Sequence, residues 1–216
     1  MIIKTIKIML EPNNKQESKL FQSAGISRFA YNWTLGKQQE NYELTKKFTR
    51  EGELRKEFTQ LKKLDEFKWL NDYSGQIVHQ AIKDACDAYL KFFKKQSDYP
   101  KFKSKRKSKP SLYIPTAKIR FSETHVKLEK LATSKKSNKQ KLNWVRLSER
   151  NKIPTDCKYY NPRVTFDGLN WFISVAIEYP NNSEILTNDG IGIDLGLKDL
   201  AICSDLEKPY KNINKN

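Results

Sequence analysis

The apolar residues of this chain change their spacing near Ser111, and this change limits the folds that it can adopt. Before Ser111 they recur every three or four positions, which is typical of amphipathic helices. After Ser111, short runs rich in Val, Ile, Phe and Trp alternate with polar residues, which is typical of strands. Residues 2–10 alternate as well and predict one strand ahead of the helices. The order of strand, helices and strands predicts an α+β fold in which a helical bundle is inserted into a small barrel or sandwich.

The helical part divides into several segments. We predict a short helix over Lys15–Ala24, a break at Gly25 and a second helix beyond it. A third helix is marked by Leu54, Phe58 and Leu61, and the longest one covers Gln76–Gln96 with Ser74 as its N-cap. The helix–glycine–helix spacing permits a DNA-reading helix-turn-helix. However, Phe29, Ala30 and Trp33 share one face of the second helix, which favours a bundle with one basic face.

The part after Ser111 predicts short strands separated by turn residues. An Asp167-Gly168 pair between two alternating runs predicts a tight hairpin. Tyr179–Ser183 reads as a boundary segment. The predicted strands are Leu112–Ile114, Ile119–Phe121, His125–Leu131, Leu142–Leu147, Arg163–Phe166 and Trp171–Tyr179.

The net charge of +16 is concentrated in one quarter of the chain. Residues 101–152 hold 17 basic and 3 acidic residues, whereas residues 153–216 hold 6 basic and 9 acidic ones. Such clustering indicates binding to a polyanion. The densest run, Tyr99–Lys109, contains Tyr99 and Phe102, which could stack on bases while lysines neutralise phosphates. A solvated basic loop is the alternative; a membrane surface is less favoured, because no helix with a basic amphipathic face accompanies the run. A second run, Lys135–Lys141, resembles a loop tip.

Several classes of protein are disfavoured. No apolar run approaches the roughly 18 residues needed to span a bilayer, and the N-terminus does not read as a secretory signal. The three cysteines are far apart, which argues against a disulfide framework and fits a reducing cytosol. No CxxC pair or Cys/His pair has ligand spacing, so we expect no zinc site. We expect a cytoplasmic protein that binds neither a membrane nor a small-molecule cofactor.

The stretch from Gly190 to Ile202 places a single carboxylate, Asp194, on a predicted strand between Gly192 and Gly196. A carboxylate in that position suits a divalent cation that acts on phosphate oxygens, and the glycines would let a ligand approach the backbone. Alternatively, Asp194 accepts backbone hydrogen bonds in a strand–turn–strand. The run from Leu200 to Ile202 would be the returning strand.

These motifs together resemble one family. Gly192–Gly196 followed by Leu200-Ala201 resembles the first motif of the RuvC-like nuclease domain in the TnpB/OrfB proteins of insertion sequences. Other segments resemble further motifs of that family in the same order: Arg28–Trp33 its N-terminal helical motif, Tyr99–Lys105 its central basic motif, and Asn143–Leu147 and Trp171–Glu178 its β segments.

The resemblance implies an RNA-guided DNA endonuclease ancestry related to the type V CRISPR effectors. It implies a small β-barrel with an inserted α-helical bundle, followed by the first β-hairpin of an incomplete RNase H-like (RuvC) domain. The expected domains are a first barrel strand (1–12), a helical recognition lobe (13–98), a basic β-barrel (99–180) and the start of the nuclease domain (188–216). The expected partners are guide RNA and target DNA, held through backbone contacts while base pairing reads the sequence.

The resemblance and the charge pattern together give the candidate residues. The expected nucleic-acid contacts are Arg28, Tyr31, Asn32, Lys101, Phe102, Lys103, Lys105, Arg106, Lys107, Lys109, Lys118, Arg120 and Arg146. Asp194 is the expected catalytic residue and Mg²⁺ ligand of an incomplete site, because the family uses Mg²⁺ with further carboxylates and a zinc ribbon later in its sequence. We therefore expect a truncated, transposon-associated nucleic-acid-binding protein that does not cut DNA alone. The alternatives are a stand-alone RNA-binding or repressor-like module and half of a split nuclease.

Overall fold

The computed structural model describes residues 2–131, 141–179, 190–196, 199–204 and 208–212. The predicted loop tip within Lys135–Lys141 lies almost wholly outside them, and so does most of the predicted boundary segment. The chain forms two compact units, Met1–Tyr179 and Pro180–Asn216. Within the described ranges, no helix combines the length and the apolar character needed to cross a membrane.

The first unit is built on a seven-stranded antiparallel sheet with the order β2-β6-β7-β1-β5-β4-β3. The first strand is present as predicted, and it is central: it pairs with β7 along almost its whole length and with β5 at its C-terminal end. The hairpin at Asp167 is confirmed, because the Asp167 carboxylate accepts from the amides of Leu169 and Asn170 at 2.8 Å, while Gly168 adopts a φ of 120°. The strands are β1 (Ile2–Glu11), β2 (Ser111–Tyr113), β3 (Arg120–Phe121), β4 (His125–Lys127), β5 (Trp144–Leu147), β6 (Tyr159–Phe166) and β7 (Trp171–Tyr179).

All seven strands contribute to one hydrophobic core, which we call the sheet core. The two outermost strands both reach it, through Leu112 on β2 and Phe121 on β3, so the sheet curves around its core. Phe121 also lies 4.9 Å from Tyr159 on β6, measured between ring centroids. In the described residues, however, no ladder joins β2 to β3. The closed barrel therefore stays a prediction.

The first helix, α1 (Asn14–Thr45), is continuous, and the predicted break at Gly25 is wrong. A glycine inside a helix costs about 1 kcal/mol relative to alanine, which packing can outweigh. Here one helix serves two cores: Leu20 and Ala24 pack in the sheet core, whereas Ile26 and Ala30 pack in a second cluster. Burial on both sides of Gly25 therefore keeps the helix continuous at this residue.

The N-terminus of α1 is fixed to the sheet by one buried amide. The Asn13 side chain caps the helix, and the Gln16 side chain accepts from the Asn13 amide in return. The other end of the Gln16 amide donates to the carbonyls of Leu142 and Trp144 at 3.0 and 2.7 Å. These two hydrogen bonds fix the position of the first turn of α1 relative to β5.

The second cluster, which we call the helix core, joins α1 to α2 (Glu51–Leu61), a 3₁₀ helix (Asp65–Asp72) and α3 (Gly75–Phe93). The predicted third helix and the predicted long helix with its Ser74 cap are confirmed, although α3 ends three residues early. The 3₁₀ helix was not predicted. It contributes Leu70, which is fully buried.

The second unit holds a three-stranded sheet of β8 (Ile193–Asp194), β9 (Asp199–Cys203) and β10 (Tyr210–Lys211). The predicted return strand is confirmed, because β9 pairs antiparallel with β8 and places Asp194 opposite Ile202. At Gly196 an added Cβ would lie 3.1 Å from the carbonyl oxygen of Asp199, so a larger residue fits there only if that carbonyl shifts slightly.

Candidate nucleic-acid interface

Two sequence motifs that are 71 residues apart are hydrogen-bonded to each other. The Asn32 side chain of α1 donates to the Lys103 carbonyl and accepts from the Lys103 amide, both at 2.8 Å. An asparagine side chain has one donor group and one acceptor, so this pair uses both kinds at once, as a neighbouring strand would. The basic segment, which we define as Tyr99–Lys109, is therefore attached to the helical motif Arg28–Trp33.

The side chain of Lys103 turns back onto the same motif. Its ammonium lies 3.8 Å from the centroid of the Tyr31 ring, a cation–π contact. Partial burial lowers the pKa of Lys103, nearby Asp84 raises it, and Arg163 lowers it. Burial also raises the pKa of the Tyr31 hydroxyl. Tyr31 is only 8% exposed and its ring is already covered, so it positions Lys103 in this structure and is not open to stack on a base.

The start of the basic segment is anchored on α3. The Tyr99 hydroxyl lies 2.9 Å from that of Tyr89, and the Tyr99 ring packs edge-on against Phe92 at 5.2 Å. Burial and the contact with Tyr99 raise the pKa of Tyr89 well above its ordinary value. Pro100 is buried as well. Contacts at Tyr99 and at Lys103 therefore attach the segment to the helices.

Between these anchors and Pro110 the segment presents cations to solvent. A serine-capped turn shapes it: the Ser108 hydroxyl accepts from the Ser104 amide at 3.1 Å, and the Ser104 hydroxyl accepts from the Lys107 amide at 3.0 Å. Phe102 is 59% exposed, so it is not a core residue. The exposed cations of the segment include Lys101, Lys105, Arg106, Lys107 and Lys109.

A crevice lies where the basic segment crosses α1. Its cations are Arg28, Lys103 and Lys109, and all three were expected from the sequence. The hydroxyls of serines on both walls were not expected, because serine in a basic run carries no sequence signal of its own. The crevice is lined by Ala24, Ser27, Arg28, Lys103, Ser108, Lys109, Pro110 and Ser111. Cations and hydroxyls without a carboxylate form a suitable surface for phosphate oxygens.

Three expected contacts lie on the strands of the sheet or the turns between them, and each already has a partner. Lys118 forms an ion pair with Glu129, and Arg146 pairs with Glu11 at 3.0 Å. Arg120 donates to two backbone carbonyls of its own loop, at 2.7 and 3.0 Å. The structure therefore brings together the expected residues of α1 and the basic segment and places these three elsewhere.

One pair that the sequence did not indicate joins the sheet to α3. Arg163 of β6 donates two hydrogen bonds of 3.0 Å to the two carboxylate oxygens of Asp84. Asp84 also accepts from Gln80 on the same helix at 2.8 Å. The pair is bidentate, the geometry in which an arginine and a carboxylate interact most strongly.

The expected metal residue, Asp194, is exposed on the two-residue strand β8. Within the described ranges, no group of three or more His, Cys, Asp or Glu side chains could hold a metal ion. Mg²⁺ is held by carboxylates and other oxygens in octahedral geometry, and two-metal chemistry needs several converging carboxylates. The described residues therefore do not form a complete magnesium site.

The chain is similar to a known family and to known proteins. Residues 1–47 match the family HTH_OrfB_IS605, described as a helix-turn-helix domain. In the structure this range holds β1 and the continuous helix α1. Over 217 residues the chain is 27% identical to "Putative RNA-guided DNA endonuclease InsQ" of Escherichia coli (strain K12), a match that covers 99% of this chain and 51% of that protein.

Two further proteins resemble this chain in part. The chain is 25% identical over 205 residues to "Putative RNA-guided DNA endonuclease" of Streptomyces pristinaespiralis, covering 95% of this chain and 49% of that protein. It thus spans about half the length of these curated relatives. Among solved structures, a chain in the cryo-EM structure of the Cas12f1-sgRNA-target DNA complex matches with a TM-score of 0.44 and 14% identity, covering 98% of this chain and 56% of that chain.

Proposed function

Because this chain belongs to the TnpB/OrfB family of insertion-sequence proteins, we propose that it is the part of an RNA-guided DNA endonuclease that holds guide RNA and target DNA. Binding is electrostatic in the first instance: cations of the basic segment contact phosphates and release counterions, whereas base pairing between guide and target reads the sequence. The similarity to two putative RNA-guided DNA endonucleases supports this class of activity. The geometry of the first unit supports the binding role.

The observation that carries the proposal is the attachment of the basic segment to α1. Lysines on a free loop would lose conformational freedom on binding, which weakens their net contribution. Here the bonds from Asn32 and the contact with Tyr31 fix the backbone and the ammonium of Lys103 before any ligand binds. The crevice cations Arg28 and Lys109 lie beside it. This is an ordered phosphate-binding surface.

Cleavage is a separate matter within the proposal. By its family motif, Asp194 would be one carboxylate of a Mg²⁺-dependent centre whose other members the described residues do not supply. We propose that this 216-residue chain binds without cutting. Supplied with guide RNA, target DNA and Mg²⁺, it should give no cleavage above background. Guide-dependent cleavage that Asp194→Ala abolishes would overturn this part of the proposal.

The test of the binding role is the nucleic acid that accompanies the chain. Purified after mild lysis at low salt, the protein should carry RNA, detected by a raised 260/280 absorbance ratio that ribonuclease treatment removes. Sequencing of that RNA should return a defined transcript. A nucleic-acid-free protein under the same conditions would contradict the proposal. Copurification of DNA that ribonuclease does not release would favour a repressor-like module instead.

A further inference from the structure

The helical bundle has a further feature beside the start of the basic segment. A pocket of about 190 Å³ opens between the C-terminal ends of α1 and α3. It is lined by Gln38, Gln39, Tyr42, Glu43, Tyr89, Phe92, Phe93 and Tyr99, and we call it the aromatic pocket. It is smaller than the roughly 300–1,000 Å³ of typical sites for drug-sized ligands, so it suits a single ring system.

The rings of this pocket are unusually accessible. Tyr42, Phe93 and Tyr99 are 42%, 44% and 47% exposed. Tyr42 lies 5.7 Å from Phe93 between ring centroids, and Phe93 stacks on Tyr89 at 6.2 Å, so the rings support one another. Such partly exposed rings can stack on a further aromatic ring.

Charge indicates which part of a nucleic acid could enter. Lys46, the C-cap of α1, lies with its ammonium 6.0 Å from the Tyr42 ring, and Lys94 and Lys95 follow Phe93 in the sequence. Glu43 lines the pocket as an exposed side chain and accepts a hydrogen bond from Gln39 at 3.2 Å. Its carboxylate would repel a phosphate from the pocket itself, whereas these lysines would attract one beside it. The arrangement therefore fits a base inside and its phosphates outside.

The pocket is continuous with the proposed nucleic-acid surface. Tyr99 is at once the first residue of the basic segment and part of the pocket wall. A strand that follows the lysines of the segment toward its start would arrive at this wall. We propose that the aromatic pocket receives one unpaired nucleobase of the bound strand, which stacks on its rings. This inference rests on the proposed function and adds to it a specific site for a base.

The test compares two strands of equal charge. One probe is a fluorescein-labelled twelve-nucleotide deoxyadenylate strand, and the other has the same backbone with every base replaced by an abasic site. The protein variant is Tyr42→Ala combined with Phe93→Ala. The matched control is Leu44→Ala, which is 79% exposed at the same helix end and does not line the pocket. Phe93→Trp serves as a second variant that keeps a ring.

The wild-type chain should bind the base-bearing strand more tightly than the abasic strand. The double variant should reduce that ratio by about fivefold or more, the scale of losing one stacked base, and leave abasic binding unchanged. Leu44→Ala and Phe93→Trp should keep the wild-type ratio. An unchanged ratio in a folded double variant that still binds both strands overturns the base pocket alone. Failure of the wild-type chain to bind either strand contradicts the proposed function itself.

Discussion

Asn32 holds the backbone of Lys103 through two hydrogen bonds of 2.8 Å, and this pair joins the two motifs that carry the proposed function. The contact lets a rigid helix set the position of a segment that has no regular secondary structure at that point. Each bond is worth about 0.5–1.5 kcal/mol net, so the pair is enough to bias the segment strongly toward one position.

Replacing Asn32 by alanine should release the segment at Lys103. Because the two hydrogen bonds are lost while Tyr99 stays anchored, we expect faster trypsin cleavage between Lys101 and Lys109 and faster exchange of the Lys103 amide. Gln39→Ala, which removes an amide that donates to Glu43 within α1, should leave both rates unchanged. Wild-type protection in Asn32→Ala would mean that the observed bonds do not hold the segment in solution.

Phe102→Ala should weaken nucleic-acid binding without lowering thermal stability. The side chain is 59% exposed, so its loss leaves no cavity, whereas a lost stacking contact costs roughly 1–3 kcal/mol of binding. Binding is measured by anisotropy of a labelled single strand and stability by thermal unfolding. The control is Leu169→Ala, an 87% exposed residue of the hairpin turn. A fall in unfolding temperature with unchanged affinity would contradict the assignment.

Much of the fold was predictable because it follows from local patterns. The alternation of Ile6, Ile8 and Leu10 predicts β1, and the apolar stripe of α3 predicts a long helix against the core. Gly25 misled the prediction because its local cost is real, but packing against two different cores outweighs it. Helix propensity depends on a residue and its neighbours in sequence, whereas these two cores bring together residues that are far apart in the chain.

The candidate site was predictable in its residue types and not in its arrangement. Charge density identifies the basic segment, and the resemblance identifies the helical motif. Nothing in the sequence shows that Asn32 would bind a backbone 71 residues away or that Lys103 would turn inward onto Tyr31. The sequence also does not show that Lys118 and Arg146, both expected as contacts, would form ion pairs with acidic side chains in the folded chain.

The pair of Arg163 and Asp84 should stabilise the junction of sheet and helix. Arg163→Lys keeps the charge but loses the bidentate hydrogen bonding. We therefore expect the free energy of unfolding to fall by about 1 kcal/mol. Chemical denaturation of the single variants and of the combination with Asp84→Asn would measure the coupling. Additive effects of the two substitutions would show that the observed pair makes no net contribution.

Acidification should weaken the helix core through His79. Burial, followed by the nearby Arg55 and Lys62, lowers the pKa of His79 from its usual value near 6.5. The unfolded chain therefore binds this proton more readily than the folded chain does. The contribution is fully present above pH 6.5 and is lost as pH falls toward the folded-state pKa. His79→Gln should therefore reduce the fall in unfolding temperature between pH 7.5 and 5.5, and an unchanged fall would contradict this role.

The salt dependence of binding tests the central claim most directly. If about six to eight cations contact phosphates, the slope of log K against log salt should be roughly −4 to −7. Replacing four of the exposed cations, Lys101, Lys105, Arg106 and Lys107, by glutamine should flatten that slope by about 3, since each contact contributes about 0.7–0.9. An equal loss of charge at Lys15, Lys47, Lys56 and Lys91 should change it far less. Equal slopes for the wild-type chain and the basic-segment variant would contradict the account.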